Sequence, residues 1–417
     1  MRVFKFGGAS VKNAEAVKNV ASILKLFPDE KIVVVISAMG KTTNAMERLT
    51  NATFHERKNI ADILEEIKAY HFEILENLFT DKSHPVFTDI ANSFVELDLA
   101  TEDEPIFTYD QTYDQIVSVG EIISTKIVSA YLNFSEVKNR WQDARDFIQT
   151  DNTYREGKVD WKLTEKRAKE FLIFGNESII ITQGFIGGTS ENFTTTLGRE
   201  GSDYSASIIA YTLDAEEVTI WKDVPGVLNA DPKYFEDTVM LQQISYQDAI
   251  ELTYYGATVI HPKSIKPLQN KNIPLRVKSF IAPQNEGTII DASSTNNTVP
   301  CFIFKTEQML ISIFPKDFSF IVEENLSHLF SVFADCHLKI NLMQNSAISF
   351  SICVDNNEHK AEQLINKLKQ EYRVLFNEHL ELITIRNYDT ATIARVSKDK
   401  EVILEQKSRH TVQLVTR

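Results

Sequence analysis

RVFKFGGAS at residues 2–10 and IVVVISAMGKTTN at residues 32–44 decide the fold. Each is a short apolar run that breaks into a glycine-bearing loop and is followed by a helical pattern. After the first run, Val17, Val20, Ala21 and Leu24 recur at helical spacing. The second run, from Ile32 to Ile36, is apolar without alternation. Such a strand is covered on both faces, as in a parallel sheet. Strand–loop–helix stated twice in succession is the pattern of an α/β domain.

The pattern continues along the chain. Arg57 to Phe79 reads as one long helix, Glu96 to Pro105 as an acidic surface excursion, and Ile116 to Leu132 as another helix. Ile179 to Thr182 and Val218 to Trp221 read as buried strands, and Gly187-Gly188 end a short strand between them. A helix is expected from Ser202 to Leu213. Ser245-Tyr246-Gln247-Asp248 is a capping-box pattern opening a helix that Gly256 ends. Ile273 to Phe280 is a further strand. The polar run DASSTNNTVP, residues 291–300, reads as a linker. Beyond it come a strand at 308–314, a helix at 321–334, strands at 337–343 and 347–354, a helix at 358–371 and a strand at 380–386. That βαββαβ order is a small α+β domain of the split βαβ kind. The division expected is a domain at 1–292, a linker at 293–304 and a second domain at 305–417.

Bulk properties narrow the function. A chain of 417 residues exceeds the usual size of one core, so two domains are natural. A net charge of −14 repels nucleic acid, and no apolar run is long enough to span a membrane. Cys301, Cys336 and Cys353 form no CxxC pair, which fits a reducing compartment. The first residues lack an apolar signal core, so the cytoplasm is the expected location.

Four segments could carry chemistry, and each has a plainer reading. In Lys5-Phe6-Gly7-Gly8-Ala9-Ser10 the glycines let backbone N–H groups approach an anion, and Lys5 could neutralise a phosphoryl group. A tight turn with a surface lysine would look the same. In Leu197-Gly198-Arg199-Glu200-Gly201-Ser202-Asp203 a glycine loop opens a helix. There Ser202 could cap the helix and Asp203 favour its dipole, or Arg199 and the N–H groups could hold an anion. Trp221-Lys222-Asp223-Val224-Pro225-Gly226 follows a strand, where ligands bind in open α/β sheets, or it is an ordinary loop. Glu121, in Ser118-Val119-Gly120-Glu121, is either a solvated first-turn acid or a partner for a substrate ammonium. His261 reads as a polar structural residue, and no metal-ligand spacing is present.

Together these segments resemble the aspartate kinases. KFGGAS (5–10), SAMGKTTN (37–44), SVGE (118–121), TTLGREGSD (195–203), KDVPGVLNADP (222–232) and YYGATVIHP (254–262) occur in the order of that family. The resemblance implies a three-layer α/β/α amino-acid-kinase fold followed by a ferredoxin-like, ACT-like α+β domain. It implies transfer of the γ-phosphate of ATP, with Mg²⁺, to the side-chain carboxylate of L-aspartate. It also implies roles: Lys5 and Asp203 catalytic; Thr43, Glu121, Arg199 and Ser202 on aspartate; Lys5, Gly7, Gly8, Lys222, Asp223, Leu228, Lys233, Thr258 and Val259 on the nucleotide. Glu121 would meet the ammonium and Arg199 a carboxylate. A carboxylate is already a competent nucleophile at neutral pH, so the absence of a histidine or cysteine nucleophile is consistent. A kinase for another acidic substrate and a silent amino-acid-binding protein are the alternatives.

This chain departs from the family pattern at Ala9, Glu200, Leu228, Lys233 and Thr258. In the family these positions commonly hold threonine, glycine, tyrosine, arginine and lysine. The ACT-like region is expected to pair two chains into a homodimer. Its first unit is expected to close near Arg386, leaving only remnants of a second, at Ile393 to Val396 and Val402 to Leu404. On that basis feedback control is expected to be weak.

Overall fold

The computed structural model describes residues 1–257, 260–293, 299–317 and 319–417. Thr258 and Val259, and residues 294–298 of the expected linker, lie outside the described residues. The chain forms two compact units. One comprises Met1–Val227, Gln242–Ile250 and Ile260–Thr295; the other comprises Leu228–Leu241, Glu251–Val259 and Asn296–Arg417.

The first unit contains β1 (Arg2–Phe6), α1 (Ala14–Leu24), β2 (Ile32–Ile36), α2 (Thr42–Asn51), α3 (Ile60–Leu78), α4 (Pro85–Glu102) and α5 (Tyr109–Phe134). It continues through β3 (Asn139–Trp141), α6 (Trp161–Phe171), β4 (Ile179–Gln183), β5 (Ile186–Gly188), β6 (Thr194–Thr196), α7 (Gly201–Thr212), β7 (Glu217–Lys222) and β8 (Gln243–Ser245). After α8 (Tyr246–Tyr255), which passes from one unit to the other, come α9 (Pro262–Lys271), β9 (Leu275–Ser279) and β10 (Thr288–Asp291).

Eight strands form one sheet in the order β3-β4-β2-β1-β7-β9-β10-β8. All neighbours are parallel except β9 and β10. In β1, Phe4 and Phe6 face the core built with α1 to α5. Lys5, between them, points to the opposite face, where α7 packs across β1, β2 and β7. The parallel register sets Phe6 beside Ile36 and Trp221, and Ile36 beside Gln183. Four strands therefore end together, and their loops share one edge.

Three helical expectations change. Arg57 and Asn59 are left-handed, with φ of 50° and 57°, so the helix expected from Arg57 starts only at Ile60. Residues 96–102 belong to α4, because Val86, Ile90, Phe94 and Leu97 form a buried stripe at helical spacing that outweighs the local acidity. Helix α7 starts from Glu200, left-handed at φ 52° with no side-chain cap, so Ser202 sits inside the helix and does not cap it. Ser245 does open α8, its hydroxyl accepting from the Asp248 N–H at 3.0 Å.

The second unit holds β11 (Cys301–Pro315), α10 (Glu323–Asp335), β12 (Ile340–Asn345), β13 (Phe350–Asp355), α11 (Glu358–Leu368), β14 (Tyr372–Arg386), α12 (Thr390–Ser397), β15 (Val402–Lys407) and β16 (Thr411–Thr416). Their sheet runs β12-β13-β11-β14-β16-β15 and is antiparallel throughout. Strands β11 and β14, each of 15 residues, span about 50 Å and serve two halves. Residues 308–313 of β11 pair with β13, whereas residues 381–386 of β14 pair with β16. The register slips between Lys305 and Leu310, where the halves meet. Each half has its own core: Ile311, Phe333, Ile352 and Leu364 in one, Phe302, Ile383, Val396 and Val412 in the other. The tail after Arg386 is thus not a set of remnants. It completes the second half, with Ile393 to Val396 helical rather than extended.

The second unit also takes in residues 228–241 and 251–259, which the sequence reading placed in the first domain. Phe235 stacks on Phe302 at 4.6 Å, Tyr234 stacks on Phe304 at 4.9 Å, and the Phe302 N–H donates to the Asn229 carbonyl at 2.7 Å. Glu251 forms an ion pair with Arg386. Aromatic burial across a long sequence separation is invisible to local composition.

Ile181 lies in β4, fully buried in the first-unit core. Ile181→Ala should lower the unfolding free energy of that unit by about 2–5 kcal/mol, read from the urea midpoint.

Candidate active site

The loops at the shared strand edge surround a cavity of 980 Å³. Its floor is Lys5. The Lys5 ammonium lies 2.6 Å from Asp203 Oδ1, and the side chains are only 11% and 5% exposed. A central strand supplies the lysine and the first turn of α7 supplies the acid, so the pair ties sheet to helix. Gly8 lines the cavity between two loops: a Cβ there would lie 2.8 Å from the carbonyls of Ala38 and Gly40. Only glycine admits that approach. Gly184 does the same at the next strand end, where a Cβ would meet Ser202 Cβ at 2.5 Å.

Glu121 projects from α5 into the cavity wall. It is 2% exposed, and its Oε2 has no hydrogen-bond partner among the described residues. Burial pushes its carboxyl up to about 8, against a hydrogen bond from the Ala38 backbone and the charge of Lys5. A buried carboxyl in that condition is neutral near pH 7 and takes up charge when a cation is brought to it.

Thr43, Arg199, Ser202 and Lys222 line the same cavity, so eight of the residues singled out from sequence converge with Lys5, Gly8, Glu121 and Asp203 counted among them. Arg199 is exposed and Ser202 buried. Gly7 stands beside the lysine, where a Cβ would be 3.4 Å from Lys5 Nζ, but it does not line the cavity. Asp223 is exposed on the loop after β7 and does not line it either. Leu228 and Lys233 belong to the second unit. Leu228 forms a β-bridge with Met240, and the Lys233 N–H donates to Asp231 Oδ1 at 2.9 Å. The departure at Glu200 has a structural use: its carboxylate accepts the His261 N–H at 2.9 Å, tying the α7 loop to the start of α9.

Residues 110–114 and 153–156 were not singled out from sequence, yet Asp110, Tyr113 and Arg155 line the cavity. Asp114, fully buried on α5, accepts from the N–H groups of Arg155 and Thr196 at 2.9 Å each and from the Thr196 hydroxyl at 2.7 Å. Burial raises its carboxyl to about 6, against those hydrogen bonds. A signal was present: Asp114 and Glu121 are seven residues apart, which places two acids on one face of α5 among apolar residues such as Val117 and Ile123.

The raised carboxyl of Glu121 has a consequence for stability. Between about 4.5 and about 8 the folded protein holds a proton that the unfolded chain has lost. Its contribution to stability therefore falls as pH rises through that window. Urea titrations from pH 5 to 8 should show Glu121→Gln becoming progressively more stable relative to the wild type.

The amino acid kinase family matches residues 1–279. Aspartokinase 1 of Arabidopsis thaliana chloroplasts is 33% identical over 377 residues, covering 88% of this chain and 65% of that protein. This chain thus spans less than two-thirds of that relative's length. Aspartokinase 2 of the same organism is 30% identical over 407 residues, covering 92% of this chain and 71% of that protein. The crystal structure of E. coli aspartokinase III in complex with aspartate and ADP superposes with a TM-score of 0.82 at 26% identity, over 100% of this chain and 96% of that one. That likeness embraces both the α/β/α unit and the two-halved antiparallel sheet. The chain belongs to the amino acid kinase family and, within it, to the aspartokinases.

Proposed function

We propose that this protein transfers the γ-phosphate of ATP to the side-chain carboxylate of L-aspartate, giving 4-phospho-L-aspartate and ADP. This is the first committed step toward lysine, threonine and methionine. The observation that carries the reading is the buried Lys5–Asp203 pair sharing one cavity with the uncompensated carboxyl of Glu121. A lysine on the floor suits a transferring phosphoryl group, and a buried acid suits an amino acid's ammonium.

In the reaction a carboxylate oxygen attacks the γ-phosphorus in line, forming one P–O bond while the bond to the β-phosphate oxygen breaks. No proton is transferred, so no general base is required. The difficulty is bringing anions together, and the chain answers it with fixed positive charge. Lys5 stabilises the three equatorial oxygens, and Asp203 holds its ammonium in place. Backbone N–H groups at Gly7 and Gly8 and at the start of α7 add dipoles. Glu121 binds the ammonium, Arg199 a carboxylate through its donor fork, and Thr43 and Ser202 orient the acceptor. Lys222, which lines the cavity, and Asp223 beside it serve the nucleotide. Mg²⁺ enters as MgATP, carried chiefly by the phosphates and screening their charge. ATP consumption with and without L-aspartate, with hydroxylamine trapping the acyl phosphate, tests donor, acceptor and product together. Lys5→Ala should remain folded yet lose kcat by roughly 100-fold or more. Turnover within a few-fold of wild type would remove Lys5 from the phosphoryl site.

The protein acts in the cytoplasm as a homodimer. Its three cysteines are buried and form no disulfide, as a reducing compartment allows, and no helix among the described residues is long and apolar enough to cross a membrane. The outer strands β12 and β15 leave sheet edges that pairing between chains would cover. Sedimentation velocity should give a species of twice the chain mass; a monomer at micromolar concentration would exclude it.

A further inference from the structure

Arg155 stands in the cavity wall with a left-handed backbone, φ 66°, a conformation that favours glycine. It is held there rather than tolerated. Its N–H donates to the buried Asp114, which also binds the N–H and hydroxyl of Thr196, three residues before Arg199. The Gly157 N–H donates to the Thr196 carbonyl at 2.9 Å, so the two arginine-bearing loops lie side by side. Strain held by surrounding contacts is characteristic of sites under functional demand.

The guanidinium has no close carboxylate partner among the described residues. It lies 4.3 Å from the centre of the Tyr113 ring, interacts with the Tyr113 side chain, and belongs to a residue that lines the cavity. Its two acidic neighbours, Glu47 and Asp110, are both 3.7 Å away, within ion-pair range but beyond hydrogen-bonding distance. The side chain is 41% exposed. A planar fork of donors with only loose carboxylate partners prefers a carboxylate that can meet it edge to edge.

We propose that Arg155 is a second guanidinium of the acceptor site, binding a carboxylate of the amino-acid substrate in place of its loose contacts with Glu47 and Asp110. The assignment rests on the aspartate phosphorylation reading. Two arginines on neighbouring loops then match an acceptor with two carboxylates, and the left-handed backbone at 155 is what aims the second one.

Arg155→Gly separates this role from a structural one. Glycine adopts φ 66° without strain, so the thermal midpoint should stay level or rise. The KM for aspartate should nevertheless rise at least about tenfold, with the KM for ATP unchanged within about twofold. Arg155→Lys, which keeps the charge and loses the fork, should fall between wild type and Arg155→Gly. An aspartate KM within twofold of wild type in folded Arg155→Gly overturns the assignment, as does a parallel rise in both KM values with a lowered thermal midpoint. If the wild type forms no aspartate-dependent hydroxamate, the phosphorylation reading fails and takes this assignment with it. A working wild type with an indifferent Arg155→Gly sinks this assignment alone.

Discussion

A lysine in the middle strand of a buried sheet needs a counter-charge, and Asp203 is the one this fold supplies. At 2.6 Å and with both side chains nearly enclosed, the pair sits where removing either partner strands the other. Such a break costs about 3–5 kcal/mol in typical buried pairs, while the intact pair contributes little net stability. Its value lies in position. Asp203 must occupy the first turn of α7, so that helix must begin at the strand edge, and the glycines at 8 and 184 must let neighbouring backbone approach.

The other groups in the cavity follow the same economy of placement. Glu121 is buried without a full set of partners, and its raised carboxyl records that deficit. Asp114, two turns earlier on the same helix, is buried with three donors and serves as an anchor instead. One helix thus carries two buried acids in different conditions: Asp114 anchored by three donors, Glu121 facing the cavity with an unpartnered oxygen.

The second unit solves a different problem. Two long strands run through both halves of the sheet, so each half gains four strands without four strands of its own. The slip between Lys305 and Leu310 marks where the halves meet, with left-handed Glu307 and His379 joined there by a side-chain hydrogen bond. A reading that counts residues after Arg386 misses this, since it assigns each strand to one unit only.

By itself the sequence determined an α/β unit, because uninterrupted apolar strands and helical periodicity are local signals. It also singled out, through motifs whose order matched a family, Lys5, Gly8, Thr43, Glu121, Arg199, Ser202, Asp203 and Lys222, which line one cavity. Tertiary structure alone decided the rest. Arg155 and Asp114 meet the site through a left-handed turn and a set of hydrogen bonds between residues about 40 to 80 positions apart. Residues 228–241 join the second unit through aromatic stacking with strand β11. Helix α4 extends through an acidic stretch because its buried stripe does. Each depends on which surfaces meet after the chain folds, and no periodicity within a short window carries that information.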